Sequence, residues 1–201
     1  MKTIRLYVFL LAALVTVGVS AQIGLQAGYS NEKQTMSFSS LNVSNTLNGF
    51  HVGPVAEMTV QGPVSLQYGL LFNRLTDKEK DSESTTTETL MSLDLPVRVA
   101  VSFPIQTGLD AFVFGGPNFN FGLSFKDKTG STTTDMYKLD QNNDGKKDIS
   151  RFDVQLGAGA GIKYNAIVLR FSYDWGLIDR LTIDPGKFKA NDMKISLAYM
   201  F

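Results

Sequence analysis

The chain has 201 residues, with 19 Lys and Arg balanced by 19 Asp and Glu, one histidine and no cysteine. Without cysteine there is no disulfide framework, lipidated cysteine or thiol nucleophile, and one histidine cannot build the two-histidine zinc motifs of metalloproteases. No basic excess points to nucleic acid.

The first predicted element is a targeting segment. Lys2 and Arg5 precede an apolar run from Leu6 to Val15, and Val19-Ser20-Ala21 closes it with small residues. That order marks a secretory signal peptide over residues 1–21, cut before Gln22. Removing those 21 residues from 201 leaves a single domain of 180, residues 22–201.

Period-two alternation then recurs along the chain. Gln22–Ser30 places Ile23, Leu25, Ala27 and Tyr29 on one face, and the polar stretch Asn31–Asn48 reads as a long loop. Gly49–Val60 carries Phe50, Val52, Pro54, Ala56, Met58 and Val60 on the apolar face, with a bulge expected near Pro54. After the turn Gln61-Gly62-Pro63, a strand continues through Leu66, Tyr68, Leu70 and Phe72. A charged, threonine-rich loop covers Thr76–Glu88. The strand Leu90–Phe103 alternates Met91, Leu93, Leu95, Val97, Val99 and Val101 with Ser92, Asp94, Pro96, Arg98, Ala100 and Ser102. The next strand runs from Leu109 to Phe125, with Leu123 and Phe125 expected outward. Lys126–Ser150 reads as the longest loop.

The clearest alternation spans Phe152 to Leu177. Phe152, Val154, Leu156, Ala158, Ala160, Ile162 and Tyr164 share one face, and Ile167, Leu169, Phe171, Tyr173, Trp175 and Leu177 resume it after Asn165-Ala166. A two-residue hairpin loop puts both sets on the same side. A fourth loop covers Asp179–Asn191, and the last strand ends Ile195, Leu197, Tyr199, Phe201.

These patterns give an all-β fold: an eight-stranded antiparallel up-and-down transmembrane barrel with four long loops on one side and three short turns on the other. Outward sets almost free of charge, aromatic residues towards the strand ends and strands of ten or more residues favour lipid outside and a polar lumen. The alternative is a soluble periplasmic or secreted eight-stranded barrel holding a small apolar ligand, which alternates with the opposite sense. On the membrane reading Glu57, Asp94, Arg98, Asp110, Asp153, Lys163, Arg170, Asp174 and Lys194 share the lumen as an ion network. Gly157, Gly159 and Gly161 make room there for long neighbours such as Arg170 and Phe112. His51 has inward parity, and a structural role outweighs a catalytic one.

One local motif suggests a metal. Asp140, Asn142, Asp144, Lys146 and Asp148 occupy positions one, three, five, seven and nine of a calcium-type loop, with Gly145 at six. Arg151 stands where the twelfth-position glutamate would be. No cofactor is required, and calcium is the one candidate.

Leu66-Gln67-Tyr68-Gly69-Leu70-Leu71-Phe72, Leu93-Asp94-Leu95-Pro96-Val97, Phe152-Asp153-Val154-Gln155-Leu156-Gly157 and Arg170-Phe171-Ser172-Tyr173-Asp174-Trp175 resemble the Bacteroidetes outer-membrane β-barrel family grouped as PorT-like. The resemblance implies a small eight-stranded barrel in the Gram-negative outer membrane, in contact with lipid and lipopolysaccharide. It also implies insertion by the barrel-assembly machinery, which reads the strand ending at Phe201. It assigns no shared activity. The expectation is a non-enzymatic, monomeric anchor with a closed lumen, whose loops meet an unidentified surface partner.

Overall fold

The computed structural model describes residues 21–38, 41–80, 85–140, 145, 147–182 and 186–201. Residues 1–20 of the expected leader lie outside these, and Ala21 pairs with Met58 at the start of β1.

The strands in chain order are β1 (Ala21–Phe38), β2 (Leu41–Gln61), β3 (Val64–Gly69), β4 (Leu71–Lys80), β5 (Thr85–Gln106), β6 (Leu109–Thr129), β7 (Thr132–Asp135), β8 (Phe152–Tyr164), β9 (Ile167–Gly176) and β10 (Gly186–Met200). Each pairs antiparallel with its neighbours, and β1 joins β10 to close the ring. β3 and β4 hold one register against both β2 and β5, so they form a single wall strand interrupted at Leu70. β7 pairs only with the far end of β6. The wall therefore has eight strands among the described residues.

Alternation sets the two faces. Ile23, Leu25, Phe50, Val113, Leu156, Ile162, Leu169, Phe171, Ile195 and Leu197 are exposed outside, while Gln26, Ser30, His51, Gln67, Asp94, Arg98, Asn118, Asp153, Asp174 and Lys194 are buried inside. This inverts a water-soluble protein, whose charged groups are seldom fully buried. Exposed aromatics ring both ends of the apolar band: Tyr29, Phe50, Phe121, Phe152 and Trp175 at one, Phe103, Tyr164, Tyr199 and Phe201 at the other. The soluble alternative, with an apolar lumen and polar exterior, is contradicted by this distribution.

Three expectations need correction. Two of the polar segments read as long loops, Asn31–Asn48 and Thr76–Glu88, are largely strand and the other two are strand in part: β1 and β2 stay paired from Ala21↔Met58 to Phe38↔Leu41, β4 and β5 up to Lys80↔Thr85, β6 runs to Thr129 and β10 begins at Gly186. Their Thr and small polar residues suit a pleated wall wet on its outer side, and Leu47, Leu75 and Leu90 supply a buried inner face.

No bulge forms at Pro54. The register shift in β2 falls between Thr59 and Gln61, and Pro54 instead accepts a 3.0 Å bond from the Leu70 amide. Proline cannot donate back, so the ladder breaks at Leu70, between β3 and β4.

Phe125 is inside rather than outside. A register shift opposite Met91/Ser92 sets Met91 against Ser124 but Ser92 against Gly122, leaving Leu123 as the extra residue. One extra residue reverses every later side chain. Phe125 is therefore 1% exposed, in a cluster with Leu47, Leu75, Leu90, Tyr137, Ile149 and Phe188.

Candidate functional site

The lumen is packed with paired charge. Arg98 on β5 reaches across to the Asp174 carboxylate on β9 and also donates to the Gly116 carbonyl. Lys194 on β10 lies 2.9 Å from Asp94 and also holds Asp192. Lys163 lies 3.1 Å from Glu57, which accepts from Ser65 at 2.8 Å and Gln67 at 3.0 Å. The Arg170 guanidinium donates to Gln26 and Gln67 and lies over Phe114 and Phe112, at 5.0 and 5.6 Å from their ring centres.

Of the residues the sequence places in the lumen, Asp153 is buried and accepts from Gln155 at 3.3 Å. Asp110 sits opposite Lys163 in register, yet that ammonium turns to Glu57 and Gln22. The β8 glycines make room, as their alternation suggests. A Cβ at Gly157 would strike Asp174 and Arg98, one at Gly159 would strike Phe114, and one at Gly161 would strike Phe112. The long neighbour at Gly157 is thus Arg98 rather than Arg170.

Four groups went unassigned from sequence. Glu32, Gln34, Asp192 and Arg180 are all buried, although Glu32, Gln34 and Arg180 fall in segments read as loops and Asp192 directly follows one. Glu32, Asp192 and Asp174 form one cross-strand row that ends at Gly157. The signal was the parity of Glu32 and Gln34 continuing that of Gln26 and Ser30.

His51 lies inside, fully buried, with Nδ1 2.9 Å from Ser30 Oγ and Nε2 2.9 Å from Ser196 Oγ. Its serine neighbours face the lumen rather than the apolar band.

The end opposite the short turns is stoppered. A single 3₁₀ turn, Met136–Lys138, folds Tyr137 inward against Gly122, where any Cβ would collide with the phenol. Arg180 donates to the Tyr137 hydroxyl at 2.8 Å, and the Arg151 guanidinium lies 4.5 Å from the ring centre. Burial pushes the Tyr137 phenol up, partly offset by the Arg180 charge. At the other end a cavity of about 230 Å³ opens between Gln22, Glu57, Ser65, Asp110 and Lys163.

Above the band, Asp77, Glu88 and Asp127 form an inward-facing acidic row across β4, β5 and β6. Burial pushes the Glu88 carboxyl up to about 7 from its ordinary 4.5, with Asp127 and Asp77 adding to it and an Asn45 hydrogen bond opposing. A raised carboxyl pKa means the fold favours the protonated form. That contribution is complete below about 4.5 and is lost as pH rises through about 7. A carboxyl-carbon NMR titration should therefore place the Glu88 midpoint near 7. A midpoint in the ordinary carboxylate range would contradict the enclosure seen here.

Of the calcium-type residues, Asn142, Asp144 and Lys146 lie outside the described residues. Gly145 has φ +79° and donates to Asp140 at 3.0 Å, and Asp148 is buried. Among the described residues no three acidic or histidine side chains converge as a metal site.

A closed antiparallel ring, apolar outside and ionic within, is the architecture that crosses a bilayer with strands. The sequence matches the family described as outer membrane protein beta-barrel domain over residues 11–181. The chain belongs to that family. It is an integral outer-membrane protein. Among solved structures, this outer-membrane barrel is similar to Ail of Yersinia pestis in complex with sucrose octasulfate, at 12% identity and a TM-score of 0.48, covering 91% of this chain and 100% of that one. It is also similar to Neisserial surface protein A, at 13% identity and TM-score 0.47 over 88% and 97% of the two chains. OprG of Pseudomonas aeruginosa matches at 10% identity and TM-score 0.46 over 90% and 96%. No curated protein matches the sequence.

Proposed function

We propose that this outer-membrane barrel is a non-enzymatic, non-conducting anchor that carries a folded extracellular platform for a surface partner. The observation that carries the reading is that the lumen is filled by ion pairs while its outer mouth is stoppered by Tyr137. Eight strands enclose only enough room for side chains. The inner voids beside Arg170 amount to about 20 and 40 Å³, the scale of a few water molecules. The lone histidine, caged by Ser30, Ser196 and Gln26, argues against a lipid-facing catalytic base.

Above the band the paired walls of β1–β2, β4–β5 and β6–β7 give partners a fixed relief rather than mobile loops. Placement in the PorT-like group and recognition of the terminal strand by the assembly machinery rest on the sequence resemblance, and a monomeric state is proposed beside them. Planar-bilayer recording tests the core of the proposal: the purified, refolded protein is expected to give no stepwise current. Reproducible unitary conductance from it would defeat the reading.

A further inference from the structure

The walls of the extracellular extension separate charge by face. Past the outer aromatic ring, the outward positions of β10, β1 and β4 carry Lys187, Lys189, Lys33, Arg74 and Lys78, all exposed. Between them β2 presents Ser44, Thr46 and Asn48. The acids of these strands, Glu32, Asp77, Glu79 and Asp192, have the opposite parity. Among the described residues no ion pair engages any of the five cations. Three of them are contiguous: Lys187 sits opposite Ser37, Lys189 opposite Thr35, and Lys33 opposite Asn191.

Their height is set by the strands themselves. Lys33 lies four residues beyond Tyr29, roughly 13 Å along a strand that tilts, and Arg74 lies two beyond Phe72. A lysine stem pointing down from there reaches the headgroup layer directly above the apolar band. A soluble surface would intersperse both signs. Here unpaired cations flanked by hydroxyl and amide groups suit phosphate esters, which accept charge-assisted hydrogen bonds.

We propose that the outward face of β10, β1, β2 and β4 docks the phosphate groups of outer-leaflet glycolipids. The phosphates lie against Lys33, Lys187 and Lys189, with Arg74 and Lys78 extending the contact along the wall. The inward parity of Glu32, Asp77, Glu79 and Asp192 puts those acids on the other side of the wall.

The test uses the folded full chain in phosphatidylcholine nanodiscs, titrated with purified lipopolysaccharide, with the same lipid after enzymatic dephosphorylation, and with inorganic phosphate. Saturable binding of the phosphorylated lipid is expected. A triple variant, Lys33→Gln with Lys187→Gln and Lys189→Gln, should bind about tenfold or more weakly, given what each lysine contributes near an anionic surface. Lys126→Gln with Lys128→Gln on β6 should change little. The dephosphorylated lipid should bind as weakly as the triple variant, and inorganic phosphate should give no saturable signal. Equal binding of the dephosphorylated lipid, a triple variant within about twofold of the parent, or saturation by inorganic phosphate would each overturn the proposal. The lipid comparison needs no variant, so it decides even if the triple substitution impairs folding.

Discussion

Lys194→Met should destabilise the barrel by at least about 4 kcal/mol, because breaking a buried pair typically costs about 3–5 kcal/mol and here two carboxylates lose one ammonium. Lys194 is 4% exposed and holds Asp94 and Asp192, which are 1% and 3% exposed. Glu32, in register with Asp192, adds a third acid to the same pocket. Without the ammonium these acids must take up protons or admit water, and either route favours the unfolded chain. The triple variant Lys194→Met with Asp94→Asn and Asp192→Asn should recover most of the loss, since what is costly is the orphaned charge rather than the missing bridge. Equilibrium urea unfolding in phospholipid vesicles reads this directly, because the single tryptophan, Trp175, is exposed on the band and reports loss of lipid contact. A single variant within about 1 kcal/mol of the parent would mean that the pair does not organise the lumen.

Leu197→Arg is expected to cost about 2–4 kcal/mol in a bilayer, the range for arginine at the midplane of a barrel wall. Leu197 is 57% exposed, flanked in register by Ala27 and Leu169, and lies midway along the apolar band. The same substitution at Tyr199, beside Phe201 in the aromatic ring at the short-turn end, should cost only about 0–1 kcal/mol. In a water-soluble barrel an exposed leucine tolerates arginine within about 0.5 kcal/mol. The two positions, two residues apart on one face, therefore separate a lipid-facing wall from a merely exposed one. Equal, small effects at both would place water where lipid is expected.

Alternation on the page predicted much of this molecule. Period two from Phe152 to Leu177, with Asn165-Ala166 between, implies the β8–β9 hairpin, and Asn165 takes φ +51° at its turn. The inner set Asp153, Lys163, Arg170 and Asp174 follows from the same parity and lies in the lumen, as do Glu57, Asp94, Arg98 and Lys194. Where composition replaced parity as the guide, the reading fell short. Asn31–Asn48 looks like loop because it is rich in Ser, Asn and Thr, yet it forms the ends of β1 and β2 and carries Glu32 and Leu47 into the interior.

The amino-acid order by itself determined the class, the outer-membrane location and the side of the wall that residues face wherever the alternation is unbroken, because side-chain direction along a strand is a local property of the backbone. Partners are not local. That Arg98 meets Asp174, that Lys194 gathers Asp94 and Asp192, and that Tyr137 fills the place left by Gly122 depend on which strands lie opposite once the ring closes. Only the tertiary structure decided Phe125 as well, since one unpaired residue at Leu123 turned it from the lipid face into the stopper.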